Sequence, residues 1–207
     1  IAAKKQAAPG DVQAQGSLER SLRQALHGMD ERQQVLLSNA ALHVGCVSLD
    51  VLVAMTDEAS PWKVGALAGM GREEMRQGLE QAVEIGLLES QAEDLYALHP
   101  GVGRLLRQQL SPTDVRIGQR AFTRAVARLS RERAQRVGSE AGWLEPCEAN
   151  LRLALGWAAR FRWRGALLDL LAGLRRTTLS SHRYATWNQI LEQVERFFVH
   201  PQTHLPA

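Results

Sequence analysis

The chain reads as a mainly α protein of two units, on three observations. Residues 86–110, GLLESQAEDLYALHPGVGRLLRQQL, place two short apolar runs around an acidic turn, ahead of a His-Pro junction and an amphipathic stretch. Elsewhere apolar residues recur at helical 3–4 spacing. Charge is also divided: residues 1–100 carry 8 Lys+Arg against 14 Asp+Glu, whereas residues 101–207 carry 17 against 8. The organisation predicted is a linker over 1–16, a winged-helix domain over 17–110 with a small β-hairpin as its wing, a helical module over 111–198 and a tail over 199–207.

Each element has a local reason. Residues 1–16 are Ala/Gln/Lys-rich with Pro9-Gly10 and show no period. Ser17 caps a helix through Leu18, Leu22, Ala25 and Leu26 that Gly28 ends, and Asp30 caps the next, with Val35, Leu36, Leu37, Ala40 and Ala41 toward a core. Gly45 breaks that pattern and Ser48 starts a short helix with Leu49, Leu52 and Val53. Pro61 and Gly65, Gly69 and Gly71 make 56–70 mainly loop, with one helical turn at most. Met75, Leu79, Ala82 and Val83 form one stripe of a helix over 72–85. Leu87-Leu88-Glu89 and Leu95 to Leu98 are read as strands about a Ser90–Asp94 turn, and Pro100 suits the first turn of the following helix. Everything outside this hairpin is read as helical.

After Ser111-Pro112, Phe122, Ala125, Val126 and Leu129 mark a long Arg-studded helix ending near Gly138. Three helices follow at about 145–160, 163–177 and 184–198. Leu167, Leu168, Leu170 and Leu171 surround the middle one almost completely, so it should be sandwiched. Antiparallel helices with short connections and an Ala/Leu pattern suggest the start of an α-solenoid similar to degenerate tetratricopeptide repeats. Trp157, Trp163 and Trp187 are expected in core or inter-repeat packing rather than on a partner surface.

The same sequence sets aside several functions. No apolar run approaches the roughly 18 residues a bilayer span needs. The N-terminus lacks a signal peptide's apolar core, and its first residue, Ile1, marks this end as an expected cut. Cys46 and Cys147 belong to no CxxC pair and are read as reduced, buried small residues, which suits a cytoplasmic setting. No HExxH, GxSxG, GxxxxGK[ST] or GxGxxG motif is present, and His43-x-x-Cys46 offers two metal ligands where a structural zinc needs four. We therefore expect no catalytic residues, no metal and no enzyme activity from this chain.

Charge also argues against sequence-specific DNA binding by the winged helix. Its recognition helix carries Arg72 and Arg76 against Glu73, Glu74, Glu80 and Glu84, and the wing adds Glu89, Glu93 and Asp94. Arg116, Arg120, Arg124 and Arg128 sit four apart and make a basic ridge on one helix face. The ridge is a solvated face, a surface docked on an acidic one such as 72–94, or a contact for nucleic acid or a partner protein. Phe122 alone accompanies it on its helix, which is poor provision for base stacking. His99 stands where the second strand meets a helix N-terminus. Such a corner either closes the wing or receives a phosphate oxygen.

SLERSLRQALHGMDERQQVLLSNAALHVGCVSLDVLVAM, LEQAVEIGLLES and LYALHPGVGRLLRQQL together resemble the winged-helix domain of STAND-class signalling ATPases, multidomain NTPases common in bacteria. EANLRLALGWAARFRWRGALLDLL and SSHRYATWNQILEQV resemble the helical repeats that follow it there, so the likeness covers roughly residues 17–198. The resemblance implies a winged helix that packs on an upstream nucleotide-binding domain rather than on DNA. It implies that His99, in Leu98-His99-Pro100 where the family has a Met-His-Asp-like motif, touches the β-phosphate of ADP and holds the off state. ADP or ATP would belong to that upstream domain, and a ligand or protein partner to the helical repeats. The alternative reading is a winged-helix transcription regulator with a helical effector or dimerisation module.

Overall fold

The structure, a computed structural model, describes residues 20, 24–26, 28–57, 63–98, 100–135 and 144–198. Within them the fold is mainly helical with one small three-stranded antiparallel sheet. Of the helix expected from Ser17 and ended by Gly28, residues 20 and 24–26 are helical, Gly28 stands in a turn with its N–H donating to the Ala25 carbonyl at 3.2 Å, and residues 17–19, 21–23 and 27 lie outside the described residues, as do the 1–16 linker and the 199–207 tail.

Helix α1 (Glu31–Ala40) begins at the expected Asp30 cap, which the structure extends to a capping box: Asp30 Oδ1 accepts the Gln33 N–H at 2.8 Å, and Gln33 Oε1 accepts the Asp30 N–H at 3.2 Å. A strand follows that the sequence reading did not foresee. Cys46–Ser48, here β1, pairs with the hairpin, so the sheet is not the hairpin alone. Helix α2 (Leu49–Met55), a 3-10 turn (Gly65–Leu67) and helix α3 (Arg72–Glu84) lead to strands β2 (Leu88–Ala92) and β3 (Leu95–Leu98). The sheet order is β1-β3-β2, which makes β3 central, with Val47 opposite Tyr96 and Glu89 opposite Ala97.

The expected Ser90–Asp94 turn contracts to Glu93-Asp94, because β2 runs to Ala92 with a bulge between Ser90 and Ala92. Asp94 takes φ 59°, a left-handed conformation its short polar side chain tolerates. Helix α3 stops where Gly86, at φ 75°, lets the Leu87 N–H reach the Ala82 carbonyl at 2.9 Å and its own N–H reach Val83 at 2.9 Å.

Helix α4 (Pro100–Gln109) returns Arg107 to the C-terminal end of α1, where Nη1 donates to the Ala41 carbonyl at 2.6 Å. Ser111 then caps α5 (Pro112–Gln135), the longest helix described. It packs against α2, α6 (Glu148–Arg160) and α7 (Arg164–Ser180), and α8 (Tyr184–Phe198) closes on α7. Phe122 of α5 is fully buried and meets His43 edge-on at 4.9 Å and Trp157 at 5.5 Å. One apolar core therefore runs across the 110/111 junction.

The α6–α7 and α7–α8 connections share one geometry. Arg162 (φ 56°) and His182 (φ 54°) each stand just past a helix end. The next residues, Trp163 and Arg183, donate back to Ala158 at 2.8 Å and Thr178 at 2.7 Å. Leu167, Leu170 and Leu174 of α7 are buried, but Leu168 is 66% exposed, so α7 has a solvent face and is not enclosed as expected.

Candidate functional site

Two charged surfaces and one buried thiol pair carry the chemistry of the described residues. The acidic surface is built from α3 and the hairpin. Arg72 donates to Asp50 Oδ1 at 2.7 Å and also to Asp94. Arg76 meets Asp94 Oδ1 through Nε at 3.1 Å and Nη2 at 3.0 Å, and Glu73 Oε2 at 2.7 Å. Both arginines of α3 are thus turned onto the protein's own carboxylates. Burial works against ionisation of Asp94, but the hydrogen bonds from Arg72 and Arg76 prevail and hold its carboxyl below the ordinary value. Glu80 and Glu84 of α3 and Glu89 and Glu93 of the hairpin remain exposed.

The basic surface lies along α5. Arg116 and Arg120 line a cleft of about 500 Å³ with Lys63, Ile117, Phe161 and Trp163. Arg124 and Arg128 line an adjoining one of about 560 Å³ that also reaches Trp163, with Asp57, Arg131, Arg164 and Asp169. The four predicted ridge arginines therefore divide between two clefts that share Trp163, and they differ in role. Arg128 is ion-paired with Asp57 and reaches Glu132 at 3.7 Å. Next to the ridge, Arg131 reaches Asp169 at 3.7 Å and Arg133 is ion-paired with Asp50, so these three cations turn to residues outside 72–94.

Arg120 lies 5.4 Å over the Trp163 ring, Trp163 stacks on Phe161 at 5.1 Å, and Arg160 lies 5.6 Å over Phe161. The ridge thus does have aromatic company. It arrives from the α6–α7 connection about forty residues downstream, where a search along the helix alone would not meet it. Burial and the neighbouring Arg124 lower the pKa of the Arg120 guanidinium from its usual value.

The third feature was not foreseen as a pair. Cys46 and Cys147 are both buried, as expected, but their sulfurs stand 3.3 Å apart. Asn150, fully buried, accepts the Val44 N–H at 2.7 Å and donates to the Cys46 carbonyl at 2.6 Å. His43 is buried nearby, its Nδ1 3.1 Å from the Ala40 carbonyl and its Nε2 without a partner among the described residues. Burial lowers its pKa to about 4, so the ring is neutral at pH 7.

His99 lies outside the described residues. Among those described, no group of three or more His, Cys, Asp or Glu side chains is arranged to hold a metal ion, and no helix is long and apolar enough to cross a membrane. Comparison with protein-family models, with curated proteins and with solved structures finds no match for this chain.

Proposed function

We propose that this chain is a non-catalytic regulatory and protein-interaction arm, made of a winged-helix unit continuous with a tetratricopeptide-like helical array. The order α1, β1, α2, α3, β2, β3 with β3 central supports the first part. The repeated left-handed connection at Arg162 and His182 supports the second. The observation that carries the functional reading is the state of α3. A winged helix that reads DNA presents cations from this helix and its wing to the phosphates. Here Arg72 and Arg76 are engaged by Asp50, Glu73 and Asp94, and the outward face offers Glu80 and Glu84 beside Glu89 and Glu93. Such a face repels a duplex and suits a basic protein surface.

The resemblance to STAND-class ATPases supplies the context. The protein surface would be an upstream nucleotide-binding domain, and the arm would bias its switch between ADP- and ATP-bound states. The chain itself has no phosphate-binding loop, so the nucleotide would be held upstream, with His99 as this arm's contact to it. Tyr184 and Leu191, one face of α8, and Leu168 of α7 are exposed and offer apolar area to a sensed partner.

The experiment that tests this reading is peptide sequencing of the native polypeptide together with a duplex-DNA titration of the present chain across salt concentration. A native product carrying a phosphate-loop peptide upstream, and no duplex binding at physiological salt, is expected. A native product without that peptide, or salt-dependent duplex binding abolished by Arg120→Glu with Arg124→Glu, would overturn it. The second outcome would favour the transcription-regulator reading, for which the two clefts lined by Arg116 and Arg120 and by Arg124 are the supporting observation.

A further inference from the structure

Cys46 and Cys147 are the chain's two cysteines, and the fold brings them together from 101 residues apart. Cys46 sits on the edge strand β1, and Cys147 is the N-cap residue of α6. Their environments differ. Cys46 also lines a cavity of about 130 Å³ with His43, Gly103 and Arg107, whereas Cys147 is fully buried and lines none of the cavities described here. A space of that size holds a few water-sized molecules. The Cys46 sulfur has the Pro146 carbonyl at 3.3 Å, Cys147 Sγ at 3.3 Å and Asn150 Nδ2 at 3.7 Å.

The asymmetry assigns roles. The hydrogen bond from Cys147 outweighs burial and draws the Cys46 thiol below its ordinary pKa, while the same contact and burial push Cys147 up. Cys46 lines the cavity and Cys147 does not, so an oxidant that enters meets the Cys46 sulfur first, with Cys147 behind it at 3.3 Å. His43 adds an acceptor. The Ala40 carbonyl can only accept, so Nδ1 carries the proton of the neutral ring and the buried Nε2 keeps a bare lone pair.

We propose that Cys46 and Cys147 are an oxidisable thiol pair: a hydroperoxide entering the cavity beside His43 oxidises Cys46, and Cys147 then condenses with it to a disulfide tying β1 to the start of α6. In the first step the Cys46 sulfur attacks one peroxide oxygen. An S–O bond forms, the O–O bond breaks, the sulfur gives two electrons, and the departing oxygen leaves as water with the thiol proton. In the second step the Cys147 sulfur attacks the Cys46 sulfenic acid. The S–S bond forms, the S–O bond breaks, and the hydroxyl leaves as water with the Cys147 proton. Two thiols and one hydrogen peroxide give one disulfide and two waters. The sulfurs must close from 3.3 Å to about 2 Å, a small movement at a helix cap.

The test uses the full chain, reduced, desalted and treated with one equivalent of hydrogen peroxide, then denatured and alkylated. Expected is a product lighter by two hydrogens in which neither cysteine is alkylated, a non-reducing peptide map joining Cys46 to Cys147, and recovery of both thiols with dithiothreitol. In Cys147→Ser, checked for native circular dichroism, dimedone should label Cys46. Two alkylated cysteines after excess peroxide, or disulfides formed only between molecules, would overturn the proposal. So would peroxide-dependent dimedone labelling of Cys147 in Cys46→Ser with none on Cys46 in Cys147→Ser. The wild-type mass and peptide map need no variant to fold.

Discussion

Asn150 of α6 donates through Nδ2 to the backbone carbonyl of Cys46 at 2.6 Å, while its Oδ1 accepts the Val44 N–H at 2.7 Å. One fully buried side chain thereby satisfies two backbone groups where the polypeptide enters the sheet. It also fixes the start of α6 against β1, more than a hundred residues away in sequence.

Asn150→Ala removes the partner of the buried Cys46 carbonyl and of the part-buried Val44 N–H. We expect a loss of about 2–4 kcal/mol, read from the urea midpoint at constant slope. Asn150→Asp should be worse at neutral pH than at pH 4, because an ionised carboxylate faces the Cys46 carbonyl with no proton to donate. A loss below about 1 kcal/mol for the alanine variant would mean that water or a rearranged loop satisfies both groups.

Asp94 predicts an acid-side effect. Its folded pKa lies below the ordinary 3.8, since the Arg72 and Arg76 hydrogen bonds outweigh burial. A depressed carboxylate contributes stability that is fully present above its unfolded pKa and is lost as pH falls through the folded one. Asp94→Asn keeps a side chain that tolerates φ 59° and removes only the charge. The expected cost is on the order of 1 kcal/mol at pH 7, since both arginines are partly exposed, and it should be smaller at pH 3, below the ordinary 3.8. Denaturation at the two pH values distinguishes this from a backbone effect, which would persist in acid.

These residues also mark what could be read from the sequence. The Asp30 cap, the hairpin and the α4 to α8 helices follow from local rules, because each depends on neighbours within a few positions. β1 was missed because three residues, Cys46-Val47-Ser48, show no period. They become a strand only when the edge of β3 is there to pair with them. The thiol pair and the stacking of Arg120 on Trp163 join residues 101 and 43 positions apart, beyond the reach of any spacing rule. Leu168 was misplaced for a related reason. An apolar residue on a helix predicts a core face only if a neighbour covers it, and its 66% exposure shows that none of the described elements does.

At Gly173 α7 lies close against Ser130 of α5. A Cβ there would overlap Ser130 Oγ and stand 3.1 Å from Ser130 Cβ. Ser130 is itself fully buried and donates to the Asp169 carbonyl at 3.2 Å, so its hydroxyl has little room to turn. Gly173→Ala should cost about 1–3 kcal/mol through overpacking, despite alanine's better helix propensity. Combined with Ser130→Gly, part of that loss should return, a coupling that a double-mutant cycle measures directly. Additive losses would show that the helices separate freely at this point.

His43 gives stability a second pH window, distinct from that of Asp94. Its pKa falls from 6.5 in the unfolded chain to about 4 in the fold, with burial the main cause. Between those values the unfolded state binds more protons, so stability must rise with pH across the interval and level off above it. The contribution is present above pH 6.5 and lost toward pH 4, and should be on the order of 3 kcal/mol. His43→Gln keeps a donor for the Ala40 carbonyl but has no proton to gain, so its urea midpoint should be flat from pH 7 to 5 where the wild type slopes. The ring is wedged against Phe122, which joins the sheet-bearing half to α6 through Trp157. Protonation would therefore load the centre of the shared core, and the acid-induced loss should appear as one cooperative transition in both near-UV and far-UV circular dichroism. A wild type without the slope, or a glutamine variant that retains it, would place the responsible titration elsewhere.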